Sequence, residues 1–348
     1  MTGRNYVQII SPCSAPGWDA WVAHHPQTGF FHTSAWAKTL TDTYGYAPVY
    51  LAKGSPGKWA SVFPLMEVNS WLTGRRGIAL PFTDECAPIT ESDSDAQELF
   101  QEALAVGRER RWKYIEYRGG REKFKGATAS LSFYGHRLDL TPGEARIFGS
   151  LDGSVRRGIR KAEKDEVTVE ISQNSEAMRW FYELQCQTRR RHGLPPQPFA
   201  FFLNIYRHVV SQDMGMVSIA KHQGRPIAAA VYFYLGGQAV YKFGASDFAW
   251  QRLRPNNLAM WSAIKWLIQR GAKSLHFGRT SLGNEGLRRF KLAWRTREEI
   301  IEYVKYDLKK GSFTTSPDEV SGWHNQVFRA LPGSWSRLAG RMLYKHWA

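Results

Sequence analysis

Two clusters of basic side chains are the residues in this chain best suited to chemistry. Residues 188–198 read TRRRHGLPPQP, so Arg189, Arg190, Arg191 and His192 directly precede a proline-rich stretch. Proline restricts the residue before it to extended backbone, and the apolar periodicity upstream predicts a helix that leads into the cluster. The four side chains would then lie at a helix end beside a rigid loop, where they can face a fixed anion. A solvated helix C-terminus is the alternative interpretation.

A second basic cluster opens the second half of the chain, at residues 156–164. It begins with Arg156, and Asp152 or Ser154 can cap the helix that carries it. Cations at three- and four-residue spacing share one face of such a helix. These are Arg157, Arg160, Lys161 and Lys164. Because guanidinium groups match the geometry of phosphate, this face is a candidate phosphate site. A solvated helix whose acidic neighbours pair with the cations is the alternative.

Polar residues also follow a predicted strand that ends near residue 278. Arg279, Thr280 and Ser281 come directly after it, and Glu285 lies in the next loop. The end of a strand in an α/β unit is a common ligand position, so Arg279 is a candidate clamp for a phosphate or carboxylate. Glu285 is a candidate acceptor for an amine proton. The alternatives are a turn with locally bonded hydroxyls and a carboxylate paired with Arg288.

Residues 254–257 lead into an apolar-periodic stretch that predicts another helix. Backbone N–H groups at a helix start suit an anion, so Arg254, Asn256 and Asn257 form a candidate anion site. Pro255 removes one of those donors, and either asparagine would serve as an ordinary N-cap.

Composition limits the classes of function. The net charge of +16 and the pI of about 9.8 favour polyanionic partners: nucleic acid, anionic lipid or phosphorylated substrates. Three widely spaced cysteines indicate a reducing cytoplasm and no metal cluster. The sequence lacks a membrane-spanning apolar run and a signal-peptide pattern, so a cytoplasmic protein is expected. A C-terminal helix with one apolar and one basic stripe would dock on its own domain or lie on an anionic membrane.

The elements that must position these residues form two αβ halves of similar order, which indicates a duplicated fold. The chain's 348 residues and its hydrophobic content of 43% are enough for two domains. A helix is predicted to begin near residue 154, and others at 18–24, 34–43, 95–111, 176–191, 199–211 and 257–271. Strands are predicted at 7–10, 49–52, 61–66, 114–117, 131–140, 167–171, 216–222, 226–235, 239–244 and 274–278.

Several segments, together with the two basic clusters, carry a family resemblance. They are FHTSAW at 31–36, LPFTD at 80–84, YKFGASD at 241–247, FGRTS at 277–281 and GLRRFKLAW at 286–294. With the order of helices, three antiparallel strands and a strand–loop–helix–strand ending, the chain resembles the Fem-type branch of the GNAT acyltransferases. That branch comprises the peptidoglycan-bridge aminoacyl transferases and their acetyltransferase-like relatives.

The resemblance implies a fold of two tandem GNAT-like domains, each an α/β domain with α+β mixed sheets. Domains are expected at 1–145, completed by 308–348, and at 146–307 with the acyl-transfer and phosphate-binding motifs. The implied activity moves an aminoacyl or acyl group onto an amine of a cell-envelope precursor or related metabolite. The alternatives are an exopolysaccharide-related N-acetyltransferase that uses acetyl-CoA, and an inactive module that binds nucleic acid or anionic membrane.

The resemblance also implies partners and site residues. The acyl donor would be aminoacyl-tRNA or acetyl-CoA with no tightly bound cofactor, and the acceptor a small or lipid-linked amine, with contact to the inner membrane. Lys291 matches a family lysine that contacts donor or substrate phosphates and assists transfer, Asp84 would orient the amine, and residues 254–257 would form the donor loop. A surface lysine and a turn-forming aspartate are the alternatives.

Overall fold

Most of the α-helices form where the sequence predicts them, and those at 144–150 and 285–292 were not predicted. The structure, a computed structural model, describes residues 6–315 and 333–346. Side chains of Thr33, Ser92, Asp152 and Asn174 each accept a hydrogen bond from a backbone N–H in the first turn of a helix. The α-helices are α1 (Trp18–His24), α2 (Ser34–Tyr44), α3 (Asp93–Glu109), α4 (Glu144–Ser150), α5 (Gly153–Lys164), α6 (Ser175–Arg191), α7 (Phe199–His208), α8 (Pro255–Gln269), α9 (Glu285–Leu292) and α10 (Gly333–Leu343).

The strands pair mostly as antiparallel neighbours. They are β1 (Gln8–Ile10), β2 (Ala47–Pro48), β3 (Tyr50–Ser55), β4 (Lys58–Phe63), β5 (Met66–Ser70), β6 (Gly74–Ile78), β7 (Tyr114–Arg118), β8 (Leu131–Asp139), β9 (Thr168–Ser172), β10 (Gly215–His222), β11 (Arg225–Leu235), β12 (Gln238–Ser246), β13 (Ser274–His276), β14 (Thr280–Ser281), β15 (Arg297–Asp307) and β16 (Ser312–Thr314).

The chain divides into two compact units with different boundaries from those predicted. Among the described residues, the first unit comprises 6–133, 300–315 and 343–346, and the second comprises 134–299 and 333–342. The boundary expected after residue 307 lies after residue 299 because β15 pairs with β7, where Tyr303 stands opposite Arg118. The boundary expected after residue 145 lies after Phe133, within β8.

The first unit contains two sheets. One has the strand order β1-β3-β4, and the other runs β2-β5-β6-β7-β15. The hairpin of β5 and β6 differs from the single strand predicted at 61–66, because the chain leaves β4 at Phe63 and a new strand starts at Met66. The core is aromatic: Phe63, Phe100, Tyr117 and Phe124 pack with ring centroids 4.7 to 6.4 Å apart.

The second unit has the strand order β8-β13-β12-β11-β10-β9. Helix α8 packs on β10 and β11, whereas α6 packs mainly on β11 and β12. Alternate residues of β11 divide between the two helices, because Tyr232 joins the core that contains α8 and Phe233 contacts the ring of Phe243 on the other side. Strand β12 runs parallel to β13 for only three residue pairs, from Gln238–Ser274 to Val240–His276. The pairing ends at Val240, whereas β12 continues to Ser246.

Candidate active site

A cavity of about 610 Å³ lies between α5, the start of α8 and α9. We call it the cationic cavity. Four basic side chains line it: Arg157, Lys161, Arg254 and Arg289. Among the residues that the structure describes, no aspartate or glutamate is part of its lining. An arrangement of several cations without carboxylates suits a phosphorylated ligand.

The sequence builds this cavity from a capped helix and a close helix contact. Asp152 accepts a hydrogen bond from the backbone N of Ser154 at 2.7 Å, which confirms the predicted cap of α5. A Cβ atom on Gly158 would lie 3.0 Å from the side chain of Asn257, so the glycine permits α5 to approach α8 closely. Lys161 also pairs with Asp165, at 2.8 Å, as a solvated helix would require.

Helix α8 begins differently from the prediction. Neither asparagine is its N-cap, because Pro255 occupies the first helical position and Arg254 precedes it in the left-handed conformation, with φ of 57°. No side chain within the described residues caps this helix start. Arg254 and Asn257 line the cationic cavity, so the positive end of the α8 dipole adds to the field of the basic side chains.

A second cavity, of about 290 Å³, is lined in part by residues of β12 beyond its last pair with β13. We call it the aromatic cavity because Tyr232, Tyr241 and Phe290 line it. Phe290 also lines the cationic cavity, so the two cavities share this residue in their linings. The remaining lining residues are Thr188, Arg191, His192, Ala229, Ala230, Gly244, Ala245, Ser246, Gln251, Asn256, Ala259 and Met260.

Two residues that line the aromatic cavity each carry a buried polar atom without a partner in the part of the chain that the structure describes. Tyr232 Oη and Arg191 Nη1 are buried, and neither has a hydrogen-bond partner among the described residues. Burying such groups is unfavourable unless a ligand or water bonds to them. Burial raises the pKa of Tyr241 to about 12, so its hydroxyl stays protonated and can donate a hydrogen bond at neutral pH. Gly244 leaves room for that ring, since a Cβ atom there would lie 1.9 Å from Tyr241 Oη.

The structure separates the members of the first basic cluster. Arg191 and His192 line the aromatic cavity, and Arg191 also lies over the ring of Phe248. Arg189 instead donates to the carbonyl of Pro195 at 3.4 Å, and Arg190 is exposed. Helix α10 covers the proline loop, because a Cβ atom on its Gly340 would lie 1.9 Å from the carbonyl oxygen of Pro196. Its apolar Leu338 and Met342 remain exposed.

Lys291 is buried rather than on the surface. Its side chain is 2% exposed, and Nζ donates hydrogen bonds to the carbonyl oxygens of Gly278 at 2.8 Å and Arg279 at 3.1 Å. Burial and the positive charge of Lys291 lower the pKa of the adjacent His136, so that imidazole is neutral. Lys291 follows Phe290 directly, which places it one residue from the wall shared by both cavities.

Residues 279–285, which lead into the part of α9 that carries Lys291, match the predicted structural turn only in part. Arg279 is exposed and Thr280 is buried in β14, which pairs with β8. The hydroxyl of Thr280 has no hydrogen-bond partner among the described residues, which contradicts the locally bonded turn at that position. Ser281 is half-buried. Glu285 is exposed and lies 3.5 Å from Arg288, as the alternative predicted, but it is the first residue of α9 and not part of a loop.

The other predicted residues lie outside both cavities. Asp84 is buried in the first unit, where its backbone oxygen accepts a hydrogen bond from Tyr303 at 2.8 Å. Arg156 shares α5 with Arg157 but does not line the cationic cavity. Conversely, sequence reasoning missed Arg289, Tyr232, Tyr241 and Phe290 as site residues. Tyr241, Arg289 and Phe290 did lie within two of the segments that carry the family resemblance.

Glu299, which lies beside the buried His276, makes a pH-dependent contribution to the free energy of unfolding. The His276 ring, 3.5 Å away, and the guanidinium of Arg137 lower the pKa of Glu299 to about 2. A lowered carboxyl pKa stabilises the fold at neutral pH, and this contribution disappears as the pH falls toward 2. We expect Glu299→Gln to lower the free energy of unfolding by about 1 kcal/mol at pH 7, with the difference vanishing near pH 2.

Urea unfolding at several pH values measures this difference. Glu163→Gln is the control, because it removes the same charge from an exposed position on α5. A Glu299→Gln effect that is equal at pH 7 and pH 2 would contradict the assigned linkage.

Comparison with known proteins places the cavities in a recognised domain. A model of the acetyltransferase (GNAT) domain family matches residues 150–292, which include most of the cavity lining. No curated protein sequence matches the chain. The family match confirms the prediction that the chain is an acyltransferase.

Solved structures match over most of the chain. FemX superposes with a TM-score of 0.70 at 16% identity, covering 88% of this chain and 98% of its own. A tandem GNAT protein from the clavulanic acid biosynthesis pathway gives 0.57 at 10% identity, covering 87% and 98%. The C-terminal domain of a putative lysylphosphatidylglycerol synthetase from Agrobacterium fabrum gives 0.56 at 13% identity, covering 82% and 89%. Residues 150–292 therefore match a GNAT acetyltransferase domain, and over most of its length the chain shares the fold of FemX and of the tandem GNAT protein.

Proposed function

We propose that this acyltransferase moves an aminoacyl or acyl group from a phosphate-bearing donor to an amine of a cell-envelope precursor or related metabolite. The observation that supports the proposal is the pair of cavities that share Phe290 in their linings. The cationic cavity suits the phosphates of the donor, and the adjoining aromatic cavity suits its acyl arm. The proposed acceptor class is the one that the resemblance to the Fem-type branch implies.

Aminoacyl-tRNA is the first donor that we propose. The chain carries a net charge of +16, and the cationic cavity contains four basic side chains. A polyanion would release counterions on binding such a surface, so its affinity should fall steeply with salt.

Acetyl-CoA is the second candidate donor. It is favoured by the uncapped start of α8 beside the cationic cavity, where backbone N–H groups and the helix dipole suit a pyrophosphate. The matched family is also described as an acetyltransferase domain. The small volume of the aromatic cavity, about 290 Å³, fits a short acyl arm.

Either donor would react by the same exchange of bonds. The amine nitrogen attacks the acyl carbonyl carbon, the bond from that carbon to the donor's oxygen or sulfur breaks, and the amine loses a proton. The leaving oxygen or sulfur must gain a proton, and the neutral hydroxyl of Tyr241 is a suitable donor in the aromatic cavity. The proton that the amine releases passes to solvent, and solvent restores the proton of Tyr241. Tyr232 Oη and Arg191 Nη1 would bond to polar atoms of the arm. Lys291 would contribute positive charge near the developing oxyanion.

Donor binding by calorimetry at two salt concentrations tests the proposal. Saturable binding of acetyl-CoA would select that donor, and salt-sensitive binding of charged tRNA stronger than that of uncharged tRNA would select aminoacyl-tRNA. Turnover then requires that the free thiol or deacylated tRNA appear only when an amine acceptor is added. Failure to bind either donor would overturn the proposal.

A further inference from the structure

The first unit exposes an apolar turn that acyl transfer does not explain. Trp71 is 86% exposed and Leu72 is 53% exposed, and together they form the tip of the hairpin between β5 and β6. Tryptophan is usually largely buried, so a tip that presents both its largest side chains to solvent is informative.

The tip is held outward by a network of hydrogen bonds. Ser70 Oγ accepts hydrogen bonds from the backbone N of Leu72 at 3.2 Å and of Thr73 at 2.9 Å, which fixes the turn. Ser70 Oγ also lies 2.8 Å from Nδ1 of His346, whose ring packs edge-on to Trp71 at 5.6 Å. Arg76 is 1% exposed and donates to the carbonyl of His346 at 2.8 Å. The exposure of Trp71 therefore belongs to a defined structure.

Basic residues accompany this tip. Arg75 follows it in β6, and the backbone N of Lys113 donates to the carbonyl of Arg75 at 2.8 Å. Lys345 precedes His346 in the turn that packs against the hairpin. All three basic residues are exposed. In β5 and β6 the acidic residue is Glu67, which accepts a hydrogen bond from Trp112 and lies 3.7 Å from Arg110.

We propose that this hairpin tip binds the surface of an anionic lipid bilayer. Trp71 and Leu72 would enter the headgroup region, where tryptophan is favoured because its ring is apolar and its N–H can still bond to water or headgroups. Arg75, Lys113 and Lys345 would lie near the lipid phosphates, each adding electrostatic attraction. Charge complementarity selects anionic over zwitterionic lipid. This surface lies in the first unit and is independent of the two cavities.

Sedimentation of the full chain with vesicles tests the surface. We expect binding to vesicles of mixed phosphatidylglycerol and phosphatidylcholine, and little binding to phosphatidylcholine alone. The double variant Trp71→Ser/Leu72→Ser should bind the anionic vesicles about tenfold or more weakly, because two apolar insertions are lost. Arg75→Ser/Lys113→Ser should reduce the preference for anionic vesicles. Circular dichroism and donor binding should be unchanged in both.

Matched variants separate this tip from other exposed apolar residues. Ile300→Ser removes an exposed side chain elsewhere in the same unit and should leave vesicle binding intact. Loss of binding in Leu338→Ser/Met342→Ser, with wild-type binding in the tip variant, would assign the membrane contact to α10 and overturn the proposal. Failure of the wild-type chain to sediment with anionic vesicles would also overturn it. So would self-association in solution that the tip variant abolishes, since the patch would then cover a second copy.

Discussion

Replacing Arg157 with Gln and Arg254 with Asn should weaken binding of the phosphate-bearing donor by about a hundredfold, with the fold intact. Both side chains line the cationic cavity and both are exposed, so each can contact a phosphate without a structural partner being lost. A hydrogen bond to a charged group contributes about 1.5 to 3 kcal/mol, and about 1.4 kcal/mol corresponds to a tenfold change in affinity. Asparagine at position 254 tolerates the left-handed backbone that arginine adopts there.

The matched control is Lys164→Gln with Arg252→Asn. Those residues are exposed on α5 and on the 3₁₀ turn before α8, and neither lines a cavity. The control removes the same net charge, so long-range attraction of the donor changes equally. Calorimetry with whichever donor the wild-type chain binds measures both variants. Equal affinities for the two variants would show that the cationic cavity is not the donor site.

Lys291→Met should lower turnover by about a hundredfold and also destabilise the second unit. The ammonium group bonds to two carbonyl oxygens in a buried position, so its removal leaves both carbonyls without that donor. Each unsatisfied buried acceptor typically costs about 1 to 3 kcal/mol. Burial of the side chain adds the effect on stability.

Two readouts distinguish a chemical role of Lys291 from a structural one. Urea unfolding gives the stability, and kcat and KM are measured at a temperature where the variant is fully folded. A lysine that stabilises the developing oxyanion acts on kcat with little change in KM. Lys273→Met is the control because it removes an exposed lysine from the same unit. Normal kcat in folded Lys291→Met would remove the catalytic assignment.

Much of the second unit could be predicted because its local signals agree with its packing. Asp152 has the residue type and position of an N-cap, and it caps α5. The strands at 215–222, 225–235 and 238–246 are separated by turns that contain glycine, and each formed within a few residues of its predicted place. Helix α8 was predicted from its apolar spacing, but its first turn was not. A proline at the first helical position overrides the preference of asparagine for the N-cap.

Assignment of the site residues depended on packing that local patterns do not encode. The spacing of Arg157 and Lys161 predicts a common helix face, but only the contact between α5 and α8 makes that face the wall of a cavity. Arg190 and Arg191 are equivalent in sequence, yet one is exposed and the other lines a cavity. Tyr232 and Phe290 could not be identified as cavity residues from the sequence. An aromatic residue that lines a cavity has the same periodicity as one that packs in a core.

Pairing of β15 with β7 has a consequence for the order of synthesis on the ribosome. Strand β7 lies between β6 and β15, so until residues 300–307 have been translated it has an open edge. Residues 134–299, which make up most of the second unit, leave the exit tunnel before that edge is covered. During synthesis of the second unit, the nascent first unit therefore exposes the unpaired backbone N–H and C=O groups of β7. Chaperones bind such exposed strand edges. A fragment that ends at residue 133 would keep that edge permanently and should be recovered as aggregate.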